Sequence, residues 1–152
     1  MGKTLFYTTT FLILLINTGF KVQKTQTDWL NWTNHCLAQS YNSAGDPKLK
    51  KWEITVTSDN FLRLRKTYVK SKQVYFSFNL KKLSNILYLG NTKKGILKLK
   101  AVEDDIIEQT RNYRKGDVDE MVSELDVPVK NMEPERLDSL KVALNYFKEK
   151  GL

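Results

Sequence analysis

The chain has one cysteine and one histidine in 152 residues, Cys36 and His35, and they are neighbours. A single cysteine excludes an internal disulfide, so packing rather than cross-linking must hold the fold together. A single histidine leaves a thiol nucleophile no second imidazole as base. Adjacent residues on a helix also point about 100° apart, which keeps this pair out of hydrogen-bond reach of each other. One Cys and one His are too few for a zinc site without several carboxylates. No Gly-rich phosphate loop, G-x-S-x-G or dinucleotide fingerprint occurs. Acids gather at Glu103, Asp104 and Asp105 and again at Asp117, Asp119 and Glu120, but without EF-hand spacing. No catalytic residue, metal or cofactor is therefore expected. A carboxylate-dependent hydrolase stays open as an alternative, because the spatial separation of two acids is not a property of sequence. Internal repeats and low-complexity linkers are missing as well.

What is there begins with an apolar terminus. Lys3 precedes an uncharged run to Phe20, richest over residues 11–16. A positive start ahead of a short apolar core is the pattern of a secretory signal peptide, and residues 1–20 are read as one. No Ala-x-Ala cleavage site is present, Gly19 with Asn17 being the nearest match, so an uncleaved anchor over residues 4–20 is the alternative. The expected location is periplasmic or extracellular. Removal near Gly19 leaves about 130 residues, enough for one core. In an oxidising compartment a lone thiol is either buried or paired with another chain, and burial is the commoner state. Cys36 is accordingly expected to resist thiol reagents until the protein unfolds.

The net charge of +8 is unevenly spread. Residues 48–100 hold fourteen Lys and Arg against two acids, whereas residues 101–152 hold eight against thirteen. Either the two halves neutralise each other in the fold or in a head-to-tail contact, or a basic face addresses an anionic ligand or surface.

Periodicity supplies the elements. Thr27 or Asp28 can cap a helix over residues 29–39, with Trp29, Trp32, Thr33 and Cys36 on one face and Asn31, Asn34 and His35 on the other. Residues 41–47 form a loop, which completes an N-terminal unit of helix and loop over residues 21–47. The period then changes to two. Strands are expected at residues 52–56, 61–69, 74–80, 85–89, 96–102, 106–113 and 126–130. Asp59-Asn60 suits a hairpin turn, residues 85–89 look central because they are apolar on both faces, and Pro128 suggests an edge. Residues 117–125 are ambiguous between a helical turn and a loop. Pro134 opens the clearest helix, striped by Leu137, Leu140, Ala143, Leu144 and Phe147 and stopped by Gly151.

Seven strands followed by one amphipathic helix resemble the pleckstrin-homology-like superfold, over residues 51–152 within a domain placed at 48–152. The resemblance implies a mainly β architecture with flanking helices, a seven-stranded antiparallel barrel plugged by its C-terminal helix. The chain also resembles small exported bacterial proteins of uncharacterised function that set a Trp-containing helix before such a domain and end on R-L-x-x-L-x-x-A-x-x-x-F, here Arg136, Leu137, Leu140, Ala143 and Phe147. A cystatin-like α+β sheet wrapped on the N-terminal helix is the alternative fold.

The resemblance implies a binding scaffold, not an activity. The expected function is a non-enzymatic exported module taking a protein or peptide partner in a groove between a sheet edge and the C-terminal helix. The alternative is a peripheral binder of anionic lipid or envelope polysaccharide. For that role the candidates are Arg63, Arg65, Lys66, Lys70 and Lys72, with Tyr68 and Tyr75 interleaved, around the hairpin of residues 61–80. Basic and aromatic side chains together also suit single-stranded nucleic acid, but export sets that partner aside. A solvated strand face accounts for the same residues without any ligand.

Overall fold

The computed structural model describes residues 23–150, so the signal-peptide reading of residues 1–20 and the Gly151 stop lie outside the described residues. Helix α1 spans Gln26–Ser40 and α2 spans Pro134–Lys150. Between them run eight strands: β1 (Leu49–Val56), β2 (Phe61–Tyr68), β3 (Gln73–Asn79), β4 (Leu83–Gly90), β5 (Lys94–Ala101), β6 (Ile106–Arg111), β7 (Val118–Val122) and β8 (Glu124–Lys130). They form two antiparallel sheets, one of five strands in the order β1-β2-β3-β6-β7 and one of three in the order β4-β5-β8. The mainly β class with flanking helices is therefore as expected. The seven expected strands are present, and the eighth, β7, lies in the ambiguous stretch. Its five residues, Val-Asp-Glu-Met-Val, have too little apolar alternation to signal a strand; pairing with β6 makes them one. The sheets do not close into a barrel, and there are two of them where the cystatin-like alternative has one.

The chain leaves the large sheet after β3, builds the β4–β5 hairpin in the small sheet, and returns to set β6 beside β3. The inner faces meet in one core. Leu62, Leu64, Phe78 and Ile106 come from the large sheet, Leu97, Leu99, Leu125, Val127 and Val129 from the small one. Four of the five expected stripe residues of α2, Leu140, Ala143, Leu144 and Phe147, are buried, and Leu137 packs at the margin.

Helix α1 starts one turn earlier than its sequence suggests. Thr25 accepts from the Asp28 N–H while the Asp28 carboxylate accepts from the Thr25 N–H, a reciprocal capping box. The inward face is the expected one, with Thr33 and Cys36 buried and Trp29 and Trp32 packed at its margin, and it widens to include Leu37 and Ser40. Cys36 and Leu37 are in the core, His35 is exposed, and Trp29 stacks on Tyr146 of α2 with ring centroids 5.7 Å apart. Asn34, expected to face outward, instead faces β1. Its Nδ2 donates to the Val56 C=O at 2.9 Å and its Oδ1 accepts from the Val56 N–H at 2.6 Å. The correction has a simple cause: Val56 belongs to an edge strand whose outer backbone groups need partners, and an amide side chain supplies both. Asn34→Ala should cost about 1–3 kcal/mol, measured by urea unfolding, because it leaves both groups unpaired and half-buried.

Residues 85–89, expected to be central, form an edge, since β4 ends the small sheet. β8 is the other edge, as Pro128 suggested. The charge asymmetry is partly settled inside the fold. Among the described residues four of five ion pairs join the basic half to the acidic half: Lys98 to Glu124 and Asp126, Lys100 to Glu124, and Lys82 to Asp105. Only three of the fourteen cations in residues 48–100 are engaged this way, so most of the positive charge is left for the surface.

Candidate functional site

The candidate basic residues divide into three groups by strand parity and position. Arg63 and Arg65 point to the outer face of the large sheet, between Thr55 and Ser77 and between Glu53 and Tyr75. Arg65 lies 5.7 Å from the Tyr75 ring centroid and Arg63 the same distance from Phe61. This face is shallow, with hollows of about 140–370 Å³ around Arg65. Lys66 has the parity of Leu62 and Leu64 and so lies on the inner face, where burial lowers its pKa against the pull of Asp46 and Glu108. Lys70, Lys72 and Tyr68 lie at the end of the sheet, in a cavity of about 670 Å³.

That cavity exists because the inner face of the large sheet turns polar past the core. The row of Leu62 and Leu64 continues as Lys66 and Tyr68, and the row of Ile106 continues as Glu108 and Thr110. The apolar layer of the small sheet stops short of these positions, and three loops close around them. Val69 donates its N–H to the Lys48 C=O at 2.9 Å, and Asn112 Nδ2 donates to the Ser71 C=O at 3.2 Å. The 45–48 segment, the β2–β3 turn and the β6–β7 turn are thereby held together around one opening. It gathers Lys48, Lys70, Lys72 and Arg114 against a single carboxylate, Asp46. Among the described residues none of these four cations is in an ion pair.

Two rings frame it. Lys72 Nζ sits 4.4 Å from the Tyr113 centroid and 5.6 Å from that of Tyr68, an arrangement that holds the ammonium without neutralising it. Burial, then the adjacent Asp46 carboxylate, raises the Tyr68 pKa, so the phenol stays a donor across the physiological range. On the inner face of β6, outside the lining of the cleft, burial and then the facing Glu120 raise the Glu108 pKa, while Lys66 and Lys72 lower it.

The turn bearing Lys70 is strained. Lys70 and Ser71 both adopt left-handed backbone, with φ of 68° and 63°, where a β-carbon costs about 1–2 kcal/mol. Such outliers persist where surrounding structure or function holds them. Lys70→Gly should therefore raise stability by about 1 kcal/mol, measured by thermal unfolding.

The other expected sites are also located. The groove between a sheet edge and the C-terminal helix is present, lined by Leu83, Ser84, Asn85 and Ile86 of β4 and Lys141 and Asn145 of α2, with a volume of about 210 Å³. That is below the range of about 300–1,000 Å³ typical of ligand cavities. Cys36 is buried, which raises its pKa, and burial of its sulfur accords with the expected resistance to thiol reagents. Among the described residues no three His, Cys, Asp or Glu side chains converge as metal ligands, and no helix is long and apolar enough to cross a membrane.

Asp46, Lys48, Asn112, Tyr113 and Arg114 were not among the sequence candidates. They lie in loops before and after the hairpin of residues 61–80, and no periodic signal marks a loop residue as facing a cavity. The run Arg-Asn-Tyr-Arg-Lys at 111–115 is the one signal that could have found three of them. The chain matches no protein-family model, and no curated protein and no solved structure matches it either.

Proposed function

We propose that this protein is an exported, non-enzymatic binding module that takes an anionic group, phosphate-, sulfate- or carboxylate-bearing, in the cleft at the end of its large sheet. One observation carries the reading: four cations from three separate loops converge on one cavity with one carboxylate between them. Unpaired like charges repel, so bringing them together lowers stability unless a ligand or solvent answers them. The rings of Tyr68 and Tyr113 add apolar walls and a phenolic donor. Neither a histidine nor a cysteine lines the cleft, and its one lining acid, Asp46, lies beside Tyr68, a composition that suits holding an anion better than transforming one. The shared chemistry belongs to two sources, an anionic lipid headgroup and an acidic envelope polysaccharide. Export rests on the composition of residues 1–20 and sets nucleic acid aside.

Cosedimentation with vesicles of phosphatidylglycerol and of phosphatidylcholine, alongside titration with a soluble acidic polysaccharide, tests the proposal. Binding to one anionic probe, absent for the neutral vesicle and falling steeply with salt, supports it and names the source. Equal binding to neutral vesicles, or none to either anionic probe, sinks it. A peptide partner in the groove between β4 and α2 is the competing reading, and it predicts binding indifferent to salt.

The strand order also bears on ancestry. Strands followed by a C-terminal amphipathic helix support a distant relation to the pleckstrin-homology-like scaffold. The eighth strand, and the β4–β5 hairpin set into a separate sheet, depart from it.

A further inference from the structure

Four strands end the two sheets: β1 and β7 in the larger, β4 and β8 in the smaller. A free edge presents unpaired N–H and C=O groups, and proteins commonly blunt it with charge or proline. β1 carries Lys50, Lys51 and Glu53, β7 carries Asp119 and Glu120, and β8 carries Glu124, Asp126, Lys130 and Pro128. β4, Leu-Ser-Asn-Ile-Leu-Tyr-Leu-Gly, carries no charge and no proline.

The direction of its backbone groups follows from the hairpin. Asn91 donates to the Lys94 C=O at 3.0 Å. By antiparallel alternation Asn85, Leu87 and Leu89 bond toward β5, and Ile86, Tyr88 and Gly90 direct their N–H and C=O groups outward. On the outer face of this edge Leu87 and Leu89, with Ile96 beside them on β5, are apolar and open to solvent. Leu89 is 55% exposed, Leu87 37% and Ile96 38%. Leu89 stands opposite Ile96, which stands opposite Pro128, so they make one strip across the outer face of the small sheet.

We propose that β4 pairs antiparallel with β4 of a second copy of this chain, about a two-fold axis, joining two three-stranded sheets into one of six strands. A register centred on Tyr88 sets Ile86 against Gly90 and Leu87 against Leu89 of the other copy. A two-fold contact uses the same patch twice, so each charge near the axis meets a copy of itself. β4 brings none. Self-pairing through β7 would oppose acid to acid, and through β8 would meet Pro128. The pairing also merges the two Leu87, Leu89 and Ile96 strips into one apolar surface. It accounts for a sequence that is apolar on both faces yet lies at an edge, because β4 becomes central in the dimer. One edge donor is already covered, the Ile86 N–H, by Asn85 Oδ1 at 2.8 Å, and this side chain swings aside on pairing.

Sedimentation equilibrium of the exported protein, from micromolar to sub-millimolar concentration, should give a mass approaching twice the monomer mass read for the same sample by mass spectrometry. Leu89→Lys and Leu89→Glu should each weaken the dimer on the order of tenfold or more, with unchanged circular dichroism. Met121→Lys, on exposed β7, should leave it intact. A wild-type monomer at every concentration overturns the proposal without reference to any variant. So does a dimer that survives both Leu89 changes, or one that Met121→Lys dissociates equally.

Discussion

Lys72→Glu should lower affinity for an anionic vesicle or polysaccharide by about thirtyfold, since one cation near an anionic surface contributes about 1 kcal/mol and reversal counts twice. Lys72 is the informative position because it is half-buried between Tyr113 and Tyr68 and is in no ion pair among the described residues. The reversal removes a charge from the cleft without undoing a structural contact elsewhere. The double variant Arg63→Glu, Arg65→Glu is the internal control. Both side chains lie on the outer face of the large sheet, away from the cleft, and their loss should change affinity no more than a few-fold. The opposite ranking would move the site to the outer face of the large sheet, where Arg63 and Arg65 lie. Repeating the titration at several salt concentrations adds a second readout, because removing a cation from the contact flattens the salt dependence.

Phe147→Ala should cost about 3–5 kcal/mol in urea unfolding, a large share of the 5–15 kcal/mol that holds a typical domain. Phe147 has no exposed surface, sits among Leu140 and Leu144 of α2, and meets the Tyr146 ring edge-on with centroids 5.4 Å apart. Tyr146 in turn stacks on Trp29 of α1. The ring thus lies where α2, α1 and the core of both sheets come together, and a cavity there cannot collapse without moving a helix. Val142→Ala on the exposed side of the same helix should change stability by less than about 0.5 kcal/mol. Similar effects at the two positions would mean that α2 does not seal the core.

The elements most legible in the sequence were those whose burial is one-sided and local. Val74, Phe76 and Phe78 alternate with Tyr75 and Ser77, and the α2 stripe repeats at helical spacing, so each announces its inward face from its own residues. β7 was illegible because its strand character comes from β6 beside it. Asn34 was misread for a related reason: an amide is polar wherever it sits, and only the Val56 backbone across from it decides that inward is favourable. Lys66 was grouped with its basic neighbours by proximity in sequence, although strand parity alone sets it on the opposite face from Arg65.

By itself the sequence determined the class of this protein: mainly β with an amphipathic C-terminal helix, an excess of cations in residues 48–100, and a lone cysteine and histidine unsuited to joint chemistry. Those properties depend on composition and on periods of two and 3.6, which a short stretch carries within itself. Only the tertiary structure decided which cations share a cleft, that β4 is an edge, and that the sheets stay open. Each of these depends on where the chain returns after tens of residues. Loop closure and cross-strand pairing set that return, and no local pattern encodes it.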